Sequence, residues 1–120
     1  MAGWTLTLRV GPRVEHTRFD SLGAAVGALE RRMDELAPET RRQATQVFKR
    51  RFDAVRQVVA RGEITGPGGL LGGARGGVDL RGDGSAEAYT GRVRRSLVQL
   101  QAGETAYDGL RGALKGARSD

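Results

Sequence analysis

Residues 38–61 read PETRRQATQVFKRRFDAVRQVVAR. From Thr40 onward the segment carries seven cations, Arg41, Arg42, Lys49, Arg50, Arg51, Arg56 and Arg61, against the single acid Asp53, a surplus of six that equals the +6 formal charge of the whole chain. Wound at about 100° per residue, Ala44, Val47, Phe48, Phe52, Val55, Val58 and Val59 gather on one side of a helix. Arg42, Lys49 and Arg56 recur every seventh residue on the other side. Pro38 suits the first turn of such a helix, and Glu39 lies at the positive end of its dipole. The segment therefore reads as a central helix with an apolar face and a basic outer stripe. Arg41 and Arg51 fall within the apolar arc, where they must snorkel, pair with a carboxylate or contact another subunit. From Val55 onward β-branched residues accumulate, so a change from helix to strand is expected near Arg56.

Working towards the N-terminus, Leu22, Val26, Leu29, Met33 and Leu36 share one side of an earlier helix, which Asp20 or Ser21 can cap. Before it, Trp4-Thr5-Leu6-Thr7-Leu8-Arg9-Val10 alternates with period two and places Trp4, Leu6, Leu8 and Val10 on one strand face. Gly11-Pro12 breaks that strand, and Arg13 to Arg18 returns as a second.

Working towards the C-terminus, residues 66–77 hold seven glycines and one proline and predict a flexible loop. Val78-Asp79-Leu80-Arg81 then reads as a short strand, and Asp83-Gly84 is a dipeptide favoured in tight hairpin turns. Residues 85–101 fit a helix through Tyr89, Val93, Leu97 and Leu100, or a returning strand through Tyr89, Gly91, Val93 and Leu97. Thr90 and Gly91 favour the strand. Thr105 and Asp108 can form a capping box for a last helix that buries Tyr107, Leu110 and Leu114 and ends near Gly116. The expected fold is α+β, one small domain spanning residues 1–120: an N-terminal β-hairpin and helix, the central basic helix, antiparallel strands with the Gly-rich loop at 66–77, and a C-terminal helix.

At 120 residues the chain can bury roughly two thirds of its unfolded surface, enough for one core without metal or disulfide. It has no cysteine, which excludes thiolate chemistry and disulfides. No stretch approaches the roughly 18 apolar residues of a membrane span, and no secretory leader opens the chain. A soluble cytoplasmic protein is expected, with no membrane partner.

Catalytic and cofactor motifs fail one by one. His16 is the only histidine and has no second ligand at metal-binding spacing. Ser21, Ser85 and Ser96 lie outside any Gly-x-Ser-x-Gly elbow. Gly68 and Gly73 bracket four residues, but Ala74 and Arg75 stand where a phosphate loop needs Lys and Ser or Thr. Asp79, Asp83 and Glu87 resemble a calcium loop until Arg81 and Thr90 occupy ligand positions. No enzyme activity, cofactor or metal is expected.

The basic pI near 10.9 favours polyanions, which reward clustered cations by counterion release. Arginine forks suit bidentate phosphate contacts. The expected partner is thus a nucleic-acid phosphate backbone, or else an acidic protein surface, met by Arg42, Lys49, Arg50 and Arg56 on the helix and by Arg92, Arg94 and Arg95 in the later strand group. DNA-binding and RNA-binding are both open on this reading. The alternative expectation is a protein-interaction or assembly subunit of a larger oligomer. In topology alone, the later order of helix, three strands and helix resembles a double-stranded RNA-binding domain. Gly103-Glu104-Thr105-Ala106 stands where that family opens its last helix with lysines.

Overall fold

The computed structural model describes residues 3–47, 58–67, 74–91 and 95–119, the side chains of 38–47 and 116–119 excepted. The chain is an α+β fold: among the described residues, a six-stranded antiparallel sheet carries two helices on one face. In chain order the elements are β1 (Trp4–Val10), β2 (Arg13–Phe19), α1 (Leu22–Val47), β3 (Val58–Thr65), β4 (Arg75–Arg81), β5 (Ala86–Thr90), β6 (Ser96–Leu97) and α2 (Ala106–Ser119). Strand order across the sheet is β2-β1-β3-β4-β5-β6.

The hairpin of β1 and β2 closes through Gly11-Pro12, with Val10 opposite Arg13. Gly11 has φ 57°, a left-handed angle at the first turn position that a β-carbon would strain. Ser21 then caps α1, its Oγ accepting a hydrogen bond from the Ala24 amide at 3.1 Å. The expected capping box opens α2: the Asp108 amide donates to Thr105 Oγ1 at 3.1 Å, and the Thr105 amide donates to Asp108 Oδ2 at 3.2 Å.

Period-two strands and period-3.6 helices meet in one core. Trp4, Leu6 and Leu8 of β1, Ile64 of β3, Val78 and Leu80 of β4 and Ala88 of β5 point towards the helices. Against them lie Ala25, Val26, Leu29 and Met33 of α1, and Ala106, Tyr107, Leu110 and Leu114 of α2. Gly62 of β3 is where α1 comes closest, since a β-carbon there would stand 2.1 Å from Leu29 Cδ1.

The structure departs from the sequence reading in four places. α1 continues through Pro38 to Val47, so the earlier and central helices are joined across the expected break. A proline removes only its own N–H and crowds one carbonyl, at a cost of about 3 kcal/mol, and the residues beyond it can rejoin the ladder. The loop expected at 66–77 is shorter, because Arg75, Gly76 and Gly77 belong to β4. These glycines are strand residues for a steric reason: a β-carbon on Gly76 would lie 2.6 Å from Tyr89 O, and one on Gly77 would lie 2.3 Å from Gly62 O. α2 runs on to Ser119, three residues past Gly116. Finally, Thr90 and Gly91 lead the chain into two strands rather than one, and Tyr89 is buried on the sheet face away from the helices, apart from the main core cluster. The returning segment is indeed extended, as β5 and β6. β3 starts at Val58; the change of structure expected near Arg56 lies outside the described residues. Between α1 and α2 the described residues hold four strands, β3 to β6, where three were anticipated from topology.

Candidate polyanion-binding face

With both helices on one side, the alternate residues of each strand form a second surface. Register fixes its rows. Arg18, Thr5, Thr65 and Arg75 make one; His16, Thr7, Glu63, Gly77, Tyr89 and Leu97 the next; Val14, Arg9, Arg61, Asp79 and Glu87 the third.

Cations and anions on this face match pairwise, and then the anions run out. Arg61 grips Asp79 through two bonds, Nε to Oδ1 at 2.6 Å and Nη2 to Oδ2 at 3.0 Å. Arg75 Nη2 donates to Glu63 Oε1 at 2.7 Å, and Arg81 Nη2 to Glu87 Oε1 at 2.6 Å. Asp79 is only 7% exposed, so its guanidinium partner offsets the cost of burying a carboxylate. Hydrogen bonding to these carboxylates raises the pKa of Arg61 and of Arg75, outweighing desolvation. Every described carboxylate on the face is thereby engaged. Arg9, Arg18 and Arg95 have no carboxylate partner among the described residues. Arg9 stands directly opposite Arg61, and two like charges across neighbouring strands deepen the positive potential there.

Tyr89 organises the middle row. Its ring leans over the gap left by Gly77, where a β-carbon would come within 2.7 Å of Tyr89 Oη. Arg95 stacks on the ring at 4.4 Å from its centroid, with Arg61 at 5.9 Å. Burial, reinforced by the Glu63 charge, pushes the phenol up to about 12, so it stays neutral at physiological pH. Tyr89 Oη and Arg75 Nε are buried and without a hydrogen-bond partner among the described residues.

No protein-family model, curated protein or solved structure matches this chain. The site therefore rests on geometry.

Of the residues singled out from sequence, Arg95 is brought to this face, on Tyr89. Arg42 lies on the α1 backbone with its side chain outside the described residues, as do Lys49, Arg50, Arg56, Arg92 and Arg94 entirely. Phe48 and Phe52 fall outside them too. Sequence reasoning passed over Arg9, Arg18, Arg61, Arg75 and Tyr89 as site residues. A usable signal existed: charges alternate along successive strands as Arg61 and Glu63, then Asp79 and Arg81, the pattern expected of cross-strand ion pairs on one polar face. His16 accepts or donates only to Thr7 Oγ1, at 3.1 Å. Among the described residues no group of His, Asp or Glu could hold a metal ion, and no helix is long and apolar enough to cross a membrane.

Proposed function

We propose that this protein is a non-enzymatic binding module that contacts the phosphate backbone of a nucleic acid, with the helix-free face of the sheet as its described contact surface. The observation that carries this reading is the surplus of guanidinium groups, Arg9, Arg18 and Arg95, on a face whose described carboxylates are all engaged. Those arginines need no desolvated rearrangement to meet a phosphate. Neighbouring strands hold them on a scaffold pinned by three ion pairs, which favours docking on a repeating backbone rather than reading of bases. Aromatic stacking has little part, since Tyr89 is 2% exposed and already covered by Arg95. The arginine-rich segment with Arg42, Lys49, Arg50 and Arg56 would extend the same basic surface, as would Arg92 and Arg94. No cofactor or metal enters the reading, and the expected location is cytoplasmic.

The test is a titration of fluorescein-labelled duplex DNA, duplex RNA and a single strand by anisotropy across a salt series. Each phosphate contact on B-DNA contributes about −0.9 to the slope of log affinity against log salt. Arg9→Glu with Arg18→Glu should flatten that slope by about 1.8, while a triple reversal at Arg42, Lys49 and Arg56 measures the helix separately. Absence of binding by the unaltered protein rejects the reading, and unchanged affinity in both variants, with native circular dichroism, rejects these arginines as its contact surface.

A second reading, a subunit of a homo- or hetero-oligomer, is favoured by Leu97 and Leu100, which are 62% and 47% exposed at the β6 end of the sheet. Light scattering separates the two: a defined oligomer dissolved by Leu97→Ser with Leu100→Ser supports assembly through that end.

A further inference from the structure

The opposite border of the sheet carries a different kind of surface. Among the described residues β2 pairs only with β1, and all its residues from Arg13 to Arg18 are exposed. Its outer row of backbone N–H and C=O groups is an open template for another strand. Beside that edge, a cleft of about 180 Å³ lies between the β1-β2 hairpin and α1, walled by Leu6, Leu8, Phe19 and Ala28. Glu15 and Thr17, on the helix side of β2, also line it, so the cleft opens onto the unpaired edge. Across its mouth Arg32 reaches Glu15 at only 3.4 Å and is shared with Glu35 at 3.0 Å, with both partners substantially exposed. An ion pair so stretched yields at little cost.

We propose that the β2 edge and this cleft form one docking groove for an extended peptide segment of another protein, which adds as an antiparallel strand and seats a single aliphatic side chain beneath α1. Main-chain hydrogen bonds supply the affinity in such an arrangement, and the pocket supplies the selectivity. The volume takes a leucine or isoleucine side chain and falls short of the roughly 300 Å³ at which pockets begin to hold drug-sized ligands. Strand geometry then dictates the sequence. A residue opposite Thr17 points into the cleft, and the residue before it faces Arg18 on the other side. Arg18 is exposed and without a carboxylate partner among the described residues, so the preferred partner reads acid-then-aliphatic.

A second copy is a poor occupant. Two-fold antiparallel pairing of the whole of β2 centres on His16, sets Val14 against Arg18, and places Glu15 and Thr17 rather than an aliphatic residue at the apolar cleft. The groove shares Arg18 with the opposite face but not Arg9, and Thr17 lies on the helix side, so Arg9→Glu and Thr17→Trp probe the two surfaces separately.

The probe is a fluorescein-labelled nine-residue peptide of alternating threonine and valine with an aspartate–leucine pair at its centre, titrated with the full chain and read by anisotropy. Saturable binding is expected. Leucine replaced by glycine should weaken it about tenfold or more, and N-methylation of alternate peptide amides should abolish it. Thr17→Trp, at an exposed position, should block the cleft while leaving duplex binding intact. Arg18→Ala should erase the preference for aspartate over alanine before the leucine, and Arg9→Glu should leave peptide binding unchanged. The proposal is overturned by a folded protein that does not bind millimolar peptide, by affinity indifferent to the leucine or to N-methylation, or by unaltered binding in Thr17→Trp. A dimer in light scattering that Thr17→Trp dissolves would give the edge to a second copy and overturn it as well.

Discussion

Gly62 and Leu29 offer a direct test of which sheet face lies under α1, and hence of which residues the opposite face displays. A β-carbon on Gly62 would stand 2.1 Å from Leu29 Cδ1, and the three nearest atoms it meets belong to that one side chain. Gly62→Ala alone therefore overpacks the α1-β3 contact, at about 1–3 kcal/mol, less the 0.4–1 kcal/mol or so gained by stiffening the unfolded chain. Leu29, fully buried, costs about 2.7–5 kcal/mol when cut to alanine, because the cavity collapses only in part. Combined, the two changes relieve each other: the clash vanishes with the leucine, and the new methyl refills part of the space for about 0.8 kcal/mol. The double variant should then be about 2–4 kcal/mol more stable than the sum of the single effects implies. Urea unfolding followed by the fluorescence of Trp4, the chain's one tryptophan and a fully buried one, measures all four corners of the cycle. Additivity to within about 0.5 kcal/mol would mean that Leu29 does not sit on Gly62, and the division of residues between the faces would fall with it.

Tyr89 and Tyr107 are the only tyrosines, and burial raises each to about 12. The folded protein should show little phenolate absorbance at pH 10.5 where the urea-unfolded chain shows much; stability from these groups is complete below pH 10 and declines as pH rises towards 12. Arg61→Ala leaves the buried Asp79 uncompensated and should cost about 2 kcal/mol, below the roughly 3–5 kcal/mol of a fully buried pair because Arg61 is partly exposed; Asp79→Asn combined with it should recover part of the loss in urea titrations. Thr105→Ala should cost about 1 kcal/mol of thermal stability by opening the α2 cap. Asp108, held below the usual carboxylate range chiefly by its bonds with Thr105, contributes above the unfolded carboxylate value near 3.9 and loses that contribution as pH falls through its lower folded value, a limb that Asp108→Asn should remove.

Local chemistry was legible where it was strong. The alternation from Trp4 to Val10, the stripe of Val26, Leu29 and Met33, the Asp83-Gly84 turn with Gly84 at φ 89°, and the reciprocal bonds of Thr105 and Asp108 follow from nearest neighbours in sequence. What escaped depends on partners distant along the chain. Gly76 and Gly77 look like loop residues until Tyr89 is known to pass over them. Arg61 falls beyond the change to strand expected near Arg56, but only its pairing with β4 reveals a cross-strand bond to Asp79, 18 residues away. Pro38 misled because a breaker lowers the odds of helix without forbidding it. The surplus cations Arg9 and Arg18 were hidden for the same reason as Tyr89: strand register, not local pattern, decides what stands beside them.

The interleaving of β1 carries a lesson for how such a molecule can change. Leu6 and Leu8 answer to the interior, Thr5, Thr7 and Arg9 to the surroundings, and no position serves both masters. Substitution at odd positions can retune charge without reopening the folding problem, whereas a one-residue deletion would interchange the two vocabularies and ruin both at once.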